Sequence, residues 1–413
     1  MKRKNITLLL AGMGVSDLGS AIQSVAIPLF VLQLTSSAIS MSMVVFASMV
    51  TGILMMPFAG VISDRWNKRN AMVTMDLTQG VILLVMAVLA YKNMLTMEVL
   101  IVTTVFRSGI SAFFQTSSDA FFIELAYGDS LRSINSLSRS IDSATQLAGP
   151  AIGGMLFGFL GITVVLVVNG ISYILSGISE MFIEYSHVKR HDKLSVTSFF
   201  TEFGEGIKAI RSIKGFVPML LFFAVMNMID APIIPIFLPF VGKEVLGFSA
   251  TNIGLLTSAY TFGALVSGLL IATLLKKMDS KKMCYLGIIT APLFQIIFAF
   301  MIFPQSLALI ASTMMLLIYS LVLYFMMGFT DSLVNVPLMT KIQMIIPEDL
   351  RGRAYSVMSI ISSVFIPMGF LIYGFLLDNT APHYLLLGMS VITLVLSVVM
   401  QRFIPWKSFE KES

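Results

Sequence analysis

The sequence predicts an all-α membrane protein of twelve transmembrane helices arranged as two pseudo-symmetric six-helix bundles. Composition is the first reason. Of 413 residues, 57% are hydrophobic and 12% charged, with a mean hydropathy of +0.90; a soluble domain is nearer half apolar and a quarter charged. The second reason is the run pattern. Apolar runs fall at about 6–34, 40–62, 71–91, 97–127, 132–159 and 162–183, then at 216–242, 249–275, 283–303, 307–335, 355–377 and 383–403. Each is long enough to be compared with the roughly 20 residues that a helix needs to cross a bilayer. The third is charge. With the N-terminus on the cytoplasmic side, 24 of the 27 Lys and Arg fall on that side, Lys92 and Lys243 fall outside, and Arg107 lies within a span. One missed span would invert every later loop and scramble this asymmetry.

The divisions follow from the runs: a bundle over 1–184, a cytoplasmic linker over 185–215 and a second bundle over 216–413. The basic start, Met1-Lys2-Arg3-Lys4, resembles a secretory signal, but the apolar run behind it far exceeds a signal's roughly 7–15 residues. It reads as the first span, with both termini cytoplasmic in a plasma membrane. The linker carries His187, His191 and six cations, with Phe199, Phe200 and Phe203 interspersed. It reads either as an interfacial amphipathic segment or as a solvated tether. Internal duplication supports the halves. Asp129-Ser130-Leu131-Arg132 parallels Glu348-Asp349-Leu350-Arg351, Lys68-Arg69 parallels Lys281-Lys282, and Gly158-Phe159-Leu160 parallels Gly374-Phe375-Leu376. Two parallel six-helix repeats around a midplane site is a known transporter plan.

Other classes find little support. The cation excess reports cytoplasmic loops rather than a nucleic-acid partner. Lone Cys284 permits no intramolecular disulfide and matches no metal spacing, so it is expected to pack as a small hydrophobe. No Walker loop, zinc motif or repeated filter sequence is present. Neither a cofactor, a metal nor an enzymatic reaction is expected. The expected partners are the bilayer, a small-molecule substrate and protons, with the chain a monomer. A non-transporting membrane sensor is the alternative of a different class.

Ionisable groups deep in spans are costly, roughly 2.5–3.5 kcal/mol or more each, and should face a cavity or a partner. Asp17 lies near mid-depth of the first run, with Ser16, Ser20, Gln23 and Ser24 at helical spacing. Arg107 lies within the fourth, its face extended by Ser111, Gln115 and Ser118. Asp142 in the fifth has Thr145, Gln146 and Gly149 beside it, and Asp230 in the seventh follows Asn227 and precedes Pro232 and Pro235. The third, sixth, ninth and twelfth runs carry no ionisable group near mid-depth; Asp76, Glu180 and Glu184 sit close to their cytoplasmic ends. The cavity is therefore expected among runs one, four, five and seven. There an acid that meets Arg107 in one state only could couple proton release to alternating access, because burial disfavours the charged carboxylate and a cation favours it. The plainer reading is a static ion pair between helices. The thirty Met fit an adaptable apolar surface, although most must face lipid or neighbouring helices.

Three further features complete the pattern. Gly60 to Asn70 forms a short charged turn between the second and third runs, containing Asp64, Arg65, Lys68 and Arg69. It is expected to lie near Glu124, Arg132 and Arg353, with Asp64 closing the cavity from inside by a charge-assisted contact; a plain topology anchor is the alternative. In the fifth run, Gly149-Pro150-Ala151-Ile152-Gly153-Gly154 permits close helix approach and a bend at Pro150. Arg107-Ser108-Gly109 stands in the fourth run.

Together these stretches resemble the major facilitator superfamily over nearly the whole chain. Leu131-Arg132-Ser133-Ile134-Asn135 and the segment from Ile346 to Arg353 look like its macrolide-efflux-like branch of drug:proton antiporters, a branch that also includes siderophore exporters. The run Gly149, Pro150, Gly153, Gly154 resembles the antiporter motif of exporters. The resemblance implies export of a mostly apolar organic molecule driven by inward proton flow, with a siderophore or lipid exporter, or a uniporter, as alternatives. Asn67 stands where Gly is common, which Asn tolerates because it also visits the left-handed region. The second copy, Lys276 to Lys282, lacks the Asp-Arg pair, so any gate there is expected to be asymmetric.

Overall fold

The structure, a computed structural model, describes residues 2–63, 66–125, 129–185, 196–212, 215–310, 312–346 and 351–400. Among these residues every regular element is helical. The first unit contains α1 (Lys2–Thr35), α2 (Ala38–Ser63), α3 (Lys68–Tyr91), α4 (Met97–Leu125) and α5 (Asp129–Met181). After α6 (Val196–Ser212), the second contains α7 (Phe216–Asp230), α8 (Ala250–Ala272), α9 (Ser280–Met301), α10 (Thr313–Ile345), α11 (Arg351–Ser363), α12 (Ile366–Asn379) and α13 (Pro382–Met400). The chain divides into two compact units, residues 1–199 with 249–254 and residues 200–248 with 255–413, so that the first turn of α8 belongs to the first unit.

Among the described residues, eleven helical stretches are long and apolar enough to cross a membrane, α7 counted with its continuation to Val245 and α11 with α12 over Val357–Asn379, and the twelfth span is folded into α5. Its 53 residues would run for about 80 Å at 1.5 Å each, far beyond a ~30 Å hydrocarbon core. The break is Gly161, at φ 75° and ψ −179°, a conformation essentially restricted to glycine. Direction reverses there. Before it, Ile141, Gly149 and Gly153 lie against Gly14, Ala21 and Ile22 of α1 in ascending order; after it, Asn169, Ser172 and Ser176 lie against Gly19 and Gly12 in descending order. The fifth and sixth spans are thus a hairpin with a one-residue turn, matching the runs expected at 132–159 and 162–183.

Helix ends follow from local chemistry. Asn67 caps α3, its side chain accepting from the Asn70 amide at 3.1 Å, one of the orphan donors at a helix start. It does so from an extended backbone, φ −62° and ψ 109°, so the left-handed conformation expected for it is not used. Asp279 caps α9 in the same way, accepting from the Lys281 amide at 3.0 Å. Asn93, at φ 56°, turns the chain out of α3. Beyond α7, Pro232 and Pro235 each lack a backbone donor. The helix widens there to π turns, with the Phe237 amide reaching the Pro232 carbonyl at 3.0 Å.

Packing is inside-out relative to a soluble bundle. On α3, Met72, Met75, Gln79 and Leu83 are buried while Val81, Val85 and Val88 are more than half exposed. The outward face is apolar because its solvent is lipid. The inner contacts are made by small residues. Gly80 of α3 sits on the Gly170 carbonyl of α5, and Gly263 and Gly328 place α8 and α10 backbone to backbone. In the second unit, α6 lays Phe203, Ile207 and Ile210 onto a cluster with Phe216, Met219, Ile288 and Ile342. The linker helix is thereby packed into that unit. Cys284 is buried in the same cluster, its Sγ 3.6 Å from the Val334 carbonyl.

Candidate functional site

In the first unit α1 lies along both arms of α5, α3 also packs on α5, and α4 packs on α2 and α3. Their polar residues meet on Arg107, which is half-buried. Its Nε donates to Gln79 Oε1 at 2.8 Å. Gln79 Nε2 in turn donates to the Arg107 carbonyl at 3.2 Å and to Ser111 Oγ at 2.7 Å. The guanidinium also faces the Tyr173 ring, 6.0 Å from its centroid, in reach of a cation–π attraction. The Tyr173 hydroxyl meets Ser20 Oγ at 2.9 Å. A half-buried cation is thus held by an amide and a phenol ring, each of which is itself bonded to a serine hydroxyl. No carboxylate lies within ion-pair distance of it among the described residues.

Asp17 projects from α1 beside this network and has no hydrogen-bond or ion-pair partner among the described residues. It lies within electrostatic reach of Asp142 and Asp76. The polar stripe expected around it divides. Ser16 Oγ bonds back to the Met13 carbonyl and Ser24 Oγ to that of Ala21, while Gln23 is buried and accepts from Asn169 Nδ2. Asp142 is exposed on α5 with Arg139 as its charged neighbour. Gln115 turns to Asp119, its Nε2 3.0 Å from Oδ1.

The second unit centres on an acid instead. Gln295 Nε2 donates to Asp230 Oδ1 at 3.1 Å, and Ser390 Oγ donates to Gln295 Oε1 at 3.1 Å. Asp331 is within electrostatic reach of Asp230, and its carboxylate takes a hydrogen bond from Asn335 at 2.9 Å and one from Tyr260. Asn227 donates to the Ser362 carbonyl at 3.1 Å, tying α7 to α11. Behind the acid stand Phe237, Phe298, Tyr324 and Tyr373, edge to face at 5.2–6.5 Å between centroids.

The motif glycines act by contact. A Cβ on Gly149 or Gly153 would fall on Ala21 and Ile22 of α1, and one on Gly154 would fall on Ala250. Pro150 is buried, and its carbonyl lies against Gly254. Before the Asp64 turn, Gly60 lies in the last turn of α2 with open space beside it, and Lys68 is buried. Arg69 donates Nε to the Glu180 carbonyl at 3.4 Å and Nη2 to the Met181 carbonyl, satisfying the unbonded end of α5 as a basic residue there should. Asp64 and Arg65 lie outside the described residues, as do the side chains of Glu124, Arg132 and Arg353. Their helices place Glu124 in the last turn of α4, Arg132 in the first turn of α5 and Arg353 in the first turn of α11.

Sequence reasoning looked for charge and passed over the neutral groups that hold it. Gln79, Asn169, Tyr173, Gln295 and Ser390 belong to the third, sixth, ninth and twelfth spans. The available signal was a polar stripe in the sixth run: Asn169, Ser172, Tyr173, Ser176 and Glu180 recur at helical spacing.

A helical membrane protein with two units, each carrying a charge in its spans held by neutral groups, is a transporter scaffold rather than an enzyme. The profile of the Major Facilitator Superfamily matches residues 9–321, and the chain belongs to that family. It is 22% identical to macrolide efflux protein A of Streptococcus pyogenes over 63% of this chain; the match spans 64% of that protein, just under two thirds of its length. It is 23% identical to the multidrug efflux pump Tap of Mycolicibacterium fortuitum over 96% of this chain and 95% of that one. Among solved structures, it resembles a bacterial homologue of the iron transporter ferroportin (TM-score 0.70, 15% identity, 96% and 98% of the two chains). It also resembles a D-xylose–proton symporter (TM-score 0.71, 13% identity, 97% and 98%). These neighbours share the fold.

Proposed function

We propose that this chain is a secondary active exporter in the plasma membrane. It moves a mostly apolar or amphiphilic small molecule, macrolide- or multidrug-like, outward in exchange for protons by alternating access. One observation carries the reading. Among the described residues, each unit's first span holds a carboxylate, Asp17 and Asp230, whose neighbours are neutral groups or other acids, on a chain similar over 96% of its length to an efflux pump. A carboxylate without a counter-cation at membrane depth is costly to keep charged, and protonation is the cheapest way to neutralise it. Arg107, unpaired with any described carboxylate, supplies the complementary charge for a substrate's anionic group or for Asp17 in another state.

The remaining assignments belong to the same reading. Both termini and the Asp64 turn face the cytoplasm, Asp64, Arg65, Lys68 and Arg69 work with Glu124, Arg132 and Arg353 as the inner gate, and the chain acts as a monomer. Proteoliposomes with an imposed pH gradient test the whole: the protein should accumulate macrolides or amphiphilic cations only when the gradient is present. A screen in which no apolar amphiphile moves would remove the multidrug reading. For the gate, Asp64→Asn should reach the membrane in normal amount yet lose transport. Unchanged transport would reduce the turn to a topology anchor.

A further inference from the structure

Two carboxylates of the first unit play no part in that reading. Asp76 of α3 is 1% exposed and Glu180 of α5 is 0% exposed. Asp76 Oδ2 and both oxygens of Glu180 have no hydrogen-bond partner among the described residues. The two groups interact electrostatically. Ser176, one turn before Glu180, is also fully buried and unbonded, and its Oγ lies against the Asp76 carboxyl outside good hydrogen-bonding geometry. Helix contact closes the site. Gly177 faces the Asp76 side chain with only van der Waals room, and Gly12 of α1 backs Ser176. Although Glu180 is one residue from the end of α5, its Cα–Cβ bond tilts toward the helix N-terminus, which carries the carboxyl back into the unit.

Among the described residues no ion pair reaches either carboxylate. On α1, Asp17 is a further negative neighbour and Lys4 pairs with Glu184 at 3.3 Å. On α3, Arg69 is spent on the Glu180 and Met181 carbonyls, and Lys68 is buried in the first turn. On α4, Arg107 is held by Gln79, and Asp119 by Gln115. On α5, Tyr173 faces Arg107 and Ser20. Two buried like charges without a cation are strongly unfavourable, and such a pair releases protons in steps that belong to both groups.

We propose that Asp76 and Glu180 form a proton-binding pair, distinct from the Asp17–Arg107 region, that retains at least one proton near neutral pH. The proton comes from water onto a carboxylate oxygen and leaves the same way. Its loss would set two negative charges across the α3–α5 contact at Gly177. That would load the contact that Arg69 holds shut one end further along. The assignment stands apart from the exporter reading.

Infrared difference spectroscopy of the full chain in nanodiscs, in sodium-free buffer without substrate or gradient, tests it. The wild type should show a protonated-carboxyl carbonyl band near neutral pH that Asp76→Asn and Glu180→Gln each remove or shift and Glu244→Gln, at an exposed carboxylate of the second unit, leaves in place. If Glu180→Gln does not fold, Glu180→Asp should move the band. A wild-type spectrum without the band, or a band that the Asp76 and Glu180 variants leave unchanged, overturns the proposal. A band that disappears on adding sodium at constant pH also overturns it, because the occupant is then a metal cation. No transport is measured, so failure here is distinguishable from failure of the exporter reading.

Discussion

The two units build similar cores around opposite charges. In the first, a glutamine of the third span holds a cation, Gln79 on Arg107 at 2.8 Å. In the second, the glutamine of the corresponding span holds an anion, Gln295 on Asp230 at 3.1 Å. An amide serves either purpose because it carries both donor and acceptor. Duplication can therefore preserve the amide while the charge it binds comes from a different span, the fourth in the first unit and the first in the second. The acids differ too: Asp17 is without a hydrogen-bond partner among the described residues, whereas Asp230 has a donor and an aromatic wall behind it.

That contrast can be broken experimentally, most drastically at the acids. Asp17→Asn and Asp230→Asn are each expected to reduce substrate-induced proton movement in proteoliposomes by about tenfold or more, the scale of losing an interaction made only in the working cycle. If one variant alone has this effect, the proton is carried by one unit. Wild-type behaviour in both would remove these acids from coupling. Next come the close helix contacts. Gly149→Leu in the first unit and Gly263→Leu in the second should each lower stability by about 1–3 kcal/mol through overpacking, read as thermal unfolding in detergent. A tolerated leucine would mean that helix pair separates easily. The amides come third. Gln79→Leu and Gln295→Leu each leave a charge short of one partner, at about 1–3 kcal/mol. Gln79→Leu should cost more, since Arg107 has no described carboxylate to fall back on, and the ranking follows from paired unfolding midpoints. Smallest is Glu184→Gln, which cuts the exposed Lys4–Glu184 pair; such pairs are worth roughly 0–1 kcal/mol, and no measurable shift in unfolding is expected.

Much of the architecture was legible because the bilayer imposes it. Span length and the location of Lys and Arg are set by hydrocarbon thickness and loop charge, and both survive in composition. The division of α5 into two spans at Gly161 agrees with the separate runs at 132–159 and 162–183. The site was less legible. Intramembrane charge marks Asp17, Arg107 and Asp230 at once, but the groups holding them are amides, hydroxyls and a phenol scattered through runs that look uniformly apolar. Asp76 and Glu180 are expected near helix ends; that holds for Glu180, one residue from the end of α5, whereas Asp76 lies more than two turns inside α3. Their burial depends on the direction of Cβ and on packing against Gly177 and Gly12, contacts that join residues more than 100 positions apart.

The turn at Gly161 has a bearing on how the protein is made. With one residue between them, the fifth and sixth spans leave no loop that can wait in water while one helix inserts before the other. The pair has to enter the bilayer together, as a preformed hairpin. Any side chain at that position would face a backbone conformation it cannot readily adopt. A substitution there should therefore appear first as poor membrane insertion and rapid degradation, before any transport cycle begins.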